Sequence, residues 1–170
     1  REPGRTPCAE AIRQLLLHPP GDGWAPQTEA LLFAAARADH VARLVRPALA
    51  SGQWVVSDRY LDSSRAYQGM ALDLGDAAIR ALHDFGSGGL LPDLTVVLTA
   101  RAERLSERLA RRDGDAADAI GGRDAAYHAC VAAAFASFAA EEPERFALID
   151  GDGEVSDVHR RVMEAVERLC

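Results

Sequence analysis

Asp58 and Arg59 stand side by side at the end of the apolar run Trp54-Val55-Val56-Ser57, and the polar stretch Tyr60-Leu61-Asp62-Ser63-Ser64-Arg65-Ala66-Tyr67-Gln68-Gly69 follows directly. A carboxylate beside an arginine suits phosphate chemistry. The guanidinium fork grips phosphate oxygens at two points, while a carboxylate holds a magnesium ion through water or orients the arginine. The alternative is a plain ion pair at a strand end. A second pair lies upstream, where Phe33 is followed one helical turn later by Arg37, with His40 beyond. On one helix face, such an aromatic stacks on a flat ligand and the arginine hydrogen-bonds its edge. Otherwise Phe33 packs under a loop and Arg37 is solvated. The segment 111–123 is charged and Gly-containing, with Arg112 and Arg123 near its two ends. It reads as an exposed loop, either a mere connection or a lid that closes over phosphates.

The elements that must position these groups alternate along the chain. Trp54–Ser57 is expected to be a short buried strand, and in an open α/β sheet ligands bind beyond the C-terminal ends of the strands. Further strands are expected at 94–98 and 146–150. Thr6 as cap and Pro7 at the first position open a helix over 7–17. A long helix spans 26–50, kinked near Pro47. At about 100° per residue, Leu31, Ala35, Ala38, Val41, Ala42, Val45 and Leu49 fall on one stripe, predicted to face the core, with Phe33 and Arg37 off it. Other helical patterns cover 76–86 (Ile79, Leu82, Phe85), 101–112, 124–141 and 155–169. Strands apolar on both faces and alternating with helices imply an α/β fold, with a parallel sheet covered by helices on both faces.

Composition sets outer bounds. A chain of 170 residues with 48% apolar and 26% charged residues supports one domain, 1–170, with a real core. Its net charge of −7 argues against a nucleic-acid partner. No apolar run approaches the roughly 20 residues of a membrane span, and no signal segment opens the chain, so a cytoplasmic location without membrane partner is expected. Cys8, Cys130 and Cys170 form no C-x-x-C pair, which predicts neither a disulfide framework nor a zinc site.

Four stretches in order carry a family resemblance: Arg1-Glu2-Pro3-Gly4, Leu31-Leu32-Phe33-Ala34-Ala35-Ala36-Arg37-Ala38-Asp39-His40, Ser57 to Gly69, and Pro92-Asp93-Leu94-Thr95. Together they resemble the bacterial thymidylate kinases. The resemblance implies a P-loop kinase-like fold, usually homodimeric, that transfers the γ-phosphoryl group of ATP to dTMP with the help of Mg2+. It further implies that Phe33 stacks on thymine, Arg37 contacts its carbonyl edge, and Ser64 and Gln68 hydrogen-bond the base. Tyr67 would pack against the sugar, Arg59 would bind the dTMP phosphate, and Asp58 would lie close to the metal and the reacting phosphates. The other readings are a non-catalytic thymidine-nucleotide-binding protein and a kinase of another nucleoside monophosphate.

Three departures stand out. Where the family's lid carries an Asp-Arg pair, this chain has Asp118-Ala119. Arg123 is expected to supply the missing cation, with Arg112 the other candidate. Arg5 stands where a second glycine is common, which would add a cation near the dTMP phosphate. The family also opens with a strand leading into a G-x-x-x-x-G-K-[ST] loop that cradles the ATP phosphates, and no such stretch occurs in these 170 residues, of which the first is Arg rather than Met. The central P-loop strand is thus expected to be absent from this chain. The natural protein is expected to extend N-terminally of Arg1 by a strand–loop–helix unit of on the order of 30 residues, and the 170 residues alone are expected to be inactive as a kinase.

Overall fold

The computed structural model describes residues 1–100 and 122–169. The expected helix 101–112, Arg112, Asp118-Ala119, Cys170 and most of the 111–123 loop lie outside them. The chain divides into two compact units, residues 1–91 with 118–132 and residues 92–117 with 133–170. Among the described residues no helix is long and apolar enough to cross a membrane.

In the first unit, α1 (Pro7–Leu17) begins as its sequence dictates. Thr6 Oγ1 accepts from the Ala9 N–H at 3.1 Å, which satisfies one of the amides a helix start leaves without a partner. α2 (Pro26–His40) packs on α1 and continues through a widened π turn, Val41–Val45, into α3 (Arg46–Ala50). Arg46 N–H bonds back to Val41 O, five residues away, immediately before Pro47. Pro47 has no N–H to donate and its ring crowds the preceding turn, so the expected kink is realised as one extra residue in the coil.

Of the predicted core stripe of this helix, Val41 and Val45 are buried and Ala38 is partly buried, but the rest faces outward. Leu31 is 55% exposed, Ala35 and Ala42 are exposed, and Leu49 is 42% exposed. The buried side carries Glu29, Ala30, Ala36, Arg37, His40, Val41 and Val45. Three of these are ionisable, and their burial is compensated by ion pairs and hydrogen bonds to side chains far along the chain.

Trp54–Ser57 is not a strand. The segment is extended, but among the described residues no strand pairs with it, and Val56 is 92% exposed. A β-prone run becomes a strand only where a neighbouring backbone completes its ladder. Its end is tied down by Glu2 N–H, which donates to Asp58 O at 2.9 Å. α4 (Leu61–Ser64) then flows into a second π turn, Arg65–Met70, where Ala71 N–H reaches Ala66 O. α5 (Asp76–Ser87) follows and ends at Gly88 in the left-handed conformation. Leu61, Ile79 and Ala30 make a small core flanked by Tyr60, Leu74 and Leu82. Phe85, expected on the same apolar face as Ile79, is 94% exposed. α2 and α5 approach closely at Gly86, where a Cβ would stand 3.3 Å from that of Ala38.

In the second unit, β1 (Thr95–Thr99) and β2 (Phe146–Asp150) pair in parallel with Thr95 opposite Phe146 and Thr99 opposite Asp150. The ladder is extended at one end by Gly151 N–H to Thr99 O, 2.7 Å. A Cβ at Gly151 would come within 2.9 Å of that carbonyl, so only glycine fits. Helix α6 (Ala125–Glu141) sets Phe138 against Phe146, and α7 (Val155–Val166) packs on β2 before a 3-10 turn, Glu167–Leu169. Leu98 and Leu148, on opposite faces of the pair, remain about half exposed, so among the described residues the expected cover of both faces is partial.

Candidate active site

The buried polar face of α2 builds the site. Arg37 Nε donates to Glu2 Oε1 and its Nη2 to Ser64 Oγ, each at 2.5 Å. The other Glu2 oxygen lies 3.4 Å from His40 Nδ1. Arg37, Glu2, Ser64 and His40 are all buried. The guanidinium also lies 5.7 Å from the centre of the Tyr60 ring. Tyr60 donates its hydroxyl to Leu90 O at 2.9 Å. Burial, reinforced by the Glu2 charge, pushes the Tyr60 phenol up to about 12, so it stays a neutral donor. His83 shares the Leu90 carbonyl through Nε2, and burial lowers its pKa and favours the neutral ring.

Two turns earlier on α2, Glu29 makes a second latch. Its Oε1 accepts from Gln68 Nε2 at 2.7 Å and its Oε2 from Arg123 Nη2 at 2.5 Å. Arg123 Nη1 donates to Tyr127 Oη, also at 2.5 Å, and the guanidinium lies over the Tyr127 ring. Burial pushes the Tyr127 phenol up to about 12 against the opposing pull of Arg123. Tyr127 meets Tyr67 edge to face, with ring centres 6.0 Å apart, and Arg59 covers Tyr67 at 5.1 Å. Arg59, Tyr67, Tyr127 and Arg123 thus form one ladder of cations and rings.

Phe33 is half-buried, four residues after Glu29 and four before Arg37. Residues at this spacing lie above one another on a helix, so Phe33 stands between the two latches. Ser64, at the end of α4, and Gln68, in the π turn that follows it, close them in reverse order.

Asp58 and Arg59 are exposed at the bend after the extended run. Arg59 has φ 69°, a left-handed backbone that costs a non-glycine residue about 1–2 kcal/mol. Such strain clusters at functional sites. Its Nη1 reaches Ser63 Oγ at 3.4 Å. Among the described residues Asp58 makes no ion pair, so the plain Asp58–Arg59 pair is not formed. Arg5 is exposed with φ 78°, which explains why glycine suits that position.

The structure therefore brings Phe33, Arg37, Ser64, Tyr67, Gln68 and Arg59 into one connected region. Arg123 joins it through Glu29 and Tyr127, so its guanidinium is occupied on the Gln68 side. Arg112 lies outside the described residues. The expected set omits Glu2, Glu29, Tyr60 and Tyr127. Glu29 had a signal in the sequence, its four-residue spacing from Phe33; Glu2 had none beyond its place in the Arg1–Gly4 stretch.

A half-buried ring between two hydrogen-bonding latches, leading to an exposed cation at a strained bend, equips an α/β protein to bind a nucleotide. The thymidylate kinase family model matches residues 1–162. The chain is 50% identical over 169 residues to a thymidylate kinase of Rhizorhabdus wittichii, covering 99% of this chain and 81% of that protein. It is 42% identical over 169 residues to a thymidylate kinase of Symbiobacterium thermophilum, with 99% and 78% covered. The crystal structure of thymidylate kinase from Ehrlichia chaffeensis superposes with a TM-score of 0.76 at 26% identity, covering 98% of this chain and 78% of that one. The chain belongs to the thymidylate kinase family. Its chemistry is phosphoryl transfer from ATP to dTMP.

Proposed function

We propose that residues 1–170 form one thymidylate-kinase-like domain in which the acceptor dTMP lies along the ladder just described. Thymine stacks on Phe33, with Arg37 at its carbonyl edge and Ser64 and Gln68 completing the base contacts. Tyr67 faces the sugar. Arg59, aided by Arg5, holds the monophosphate. The observation that carries this reading is the placement of half-buried Phe33 between two buried latches, each of which immobilises a hydrogen-bonding side chain before any ligand arrives. Pre-organisation of this kind reduces the entropy lost on binding.

Phosphoryl transfer asks a protein chiefly for positioning and charge neutralisation. Arg59 does both for the acceptor phosphate, because its place over the Tyr67 ring fixes the guanidinium plane. Among the described residues no three carboxylate, histidine or cysteine groups gather into a metal cage. Mg2+ fits nonetheless, since it is commonly held by one or two carboxylates together with phosphate oxygens, and Asp58 offers one exposed carboxylate. Bound there, Mg2+ would neutralise charge on the phosphates. The segment 111–123 serves as the lid, with Arg112 and, once released from Glu29, Arg123 directed to phosphate. The 170 residues carry no G-x-x-x-x-G-K-[ST] stretch, and none of the residues named here is assigned to the ATP phosphates.

Arg59→Ala is expected to weaken dTMP binding about 100-fold, the worth of a charge-assisted contact to phosphate, while thymidine binding changes less than twofold. Calorimetric titration with both ligands checks this. Equal losses for the two would remove Arg59 from the phosphate.

The protein works in the cytoplasm as a homodimer. Exposed Leu31 of α2 and Leu49 of α3, with the bare ring of Phe85 on α5, support a second copy as the partner, because apolar surface of this kind is costly to leave in water. Sedimentation equilibrium is expected to give twice the chain mass for the wild type and one chain mass for Leu31→Asp; a wild-type monomer at tens of micromolar would overturn the assignment.

A further inference from the structure

We infer that Glu29 is a positioning residue for base selection, fixing which end of the Gln68 side-chain amide meets the nucleotide. An amide has a donor end and an acceptor end of nearly equal size, and the two can exchange by a half-turn. A carboxylate accepts only. With Glu29 Oε1 2.7 Å from Gln68 Nε2, the NH2 group is committed to Glu29 and Gln68 Oε1 is left as the outward end. Among the described residues that oxygen has no hydrogen-bond partner, although Gln68 is buried. Arg37 presents the opposite polarity. Its Nε and Nη2 are taken by Glu2 and Ser64, which leaves Nη1 as a donor.

The two latches thus offer one acceptor and one donor on either side of Phe33. A base with an adjacent carbonyl and ring N–H, as in thymine or uracil, matches that pair. Cytosine, with an amino group and a bare ring nitrogen at the same two positions, meets each with the wrong polarity. Selection arises because a mismatch leaves buried polar groups unpaired. Before the lid closes, the second Glu29 oxygen is held by Arg123 Nη2 at 2.5 Å, which fixes the carboxylate plane while the base is selected.

This inference rests on the reading that Gln68 contacts the base, and the test separates the two. The protein is titrated calorimetrically with dTMP and with its N3-methyl analogue, which lacks the ring N–H. Glu29→Gln replaces the acceptor-only group by one that also donates, so Gln68 can turn over. It is expected to weaken dTMP about tenfold and leave the analogue unchanged, collapsing the preference. Equal weakening of both ligands marks a merely structural role and overturns the inference. Gln68→Leu is expected to abolish the preference. Were it kept in Gln68→Leu, the base contact itself would be wrong; were it lost there yet kept in Glu29→Gln, only the role of Glu29 would fall. If Glu29→Gln does not fold by circular dichroism, Glu29→Asp, which draws the carboxylate back by one methylene, carries the test: a reduced preference supports the inference and an unchanged one overturns it.

Discussion

Arg65→Ala is expected to destabilise the protein by about 3–5 kcal/mol, the cost of stranding a buried charge. Arg65 is 1% exposed, the largest fully buried side chain among the described residues. Its Nη1 donates to Asp62 at 3.0 Å, while Nε and Nη2 grip both oxygens of Asp76 at 2.6 and 3.2 Å. Asp76 also accepts from Arg80 at 2.8 Å, so it keeps a cationic partner when Arg65 is lost. Arg65→Lys is expected to recover little, because an ammonium cannot reproduce a planar fork directed at two carboxylates. Urea unfolding reads the difference, and a loss below about 1 kcal/mol would show the cluster to be solvated. Burial alone would raise the Asp76 pKa, but hydrogen bonds from Arg65 and Arg80 outweigh it and hold the carboxyl below its ordinary value. The stabilisation from Asp76 is therefore present above the ordinary carboxylate range and lost as pH falls through it.

Arg37→Leu is expected to act twice. It removes the proposed base contact, worth about 10- to 100-fold in dTMP affinity for a charge-assisted hydrogen bond, and it leaves the Glu2 carboxylate buried with, among the described residues, His40 as its remaining side-chain partner, at about 3–5 kcal/mol. The double variant Glu2→Gln/Arg37→Leu separates the effects. It is expected to regain most of the stability, because the Glu2 carboxylate is no longer stranded, while dTMP binding stays weak. Unfolding curves and dTMP titrations of the single and double variants test this pair of outcomes. A double variant no more stable than Arg37→Leu would mean that the stranded carboxylate is not the source of the loss.

Local physics made much of this chain legible. The Thr6 cap with Pro7, the helices around 76–87 and 125–141 and the strand 146–150 follow from capping and period, each of which acts within a few residues. α2 was legible as a helix but not in its orientation. Counting periods assumes that charged residues face water, whereas Glu29, Arg37 and His40 are buried. The reason lies in partners no window can see: Glu2 is 35 residues from Arg37, and Gln68 is 39 from Glu29. The same blindness misread Trp54–Ser57, whose composition is that of a strand but whose ladder depends on another segment. In the site, the residues expected to touch the nucleotide were readable from the ordered motifs. The carboxylates that hold them were not, since an acid acquires that role only through the fold.

The π turn at Arg65–Met70 begins directly after Ser64 and carries Gln68, the two residues that close the latches on α2. A coil of this kind holds one residue more than the α-helix would need. Removing any one residue between Ser64 and Gln68 would relax the backbone to ordinary helix, yet it would swing everything beyond by about 100° and carry the Gln68 amide away from Glu29. The length of this stretch is thus constrained apart from its composition, and a single-codon deletion here is expected to harm recognition even where the residues that remain are unchanged.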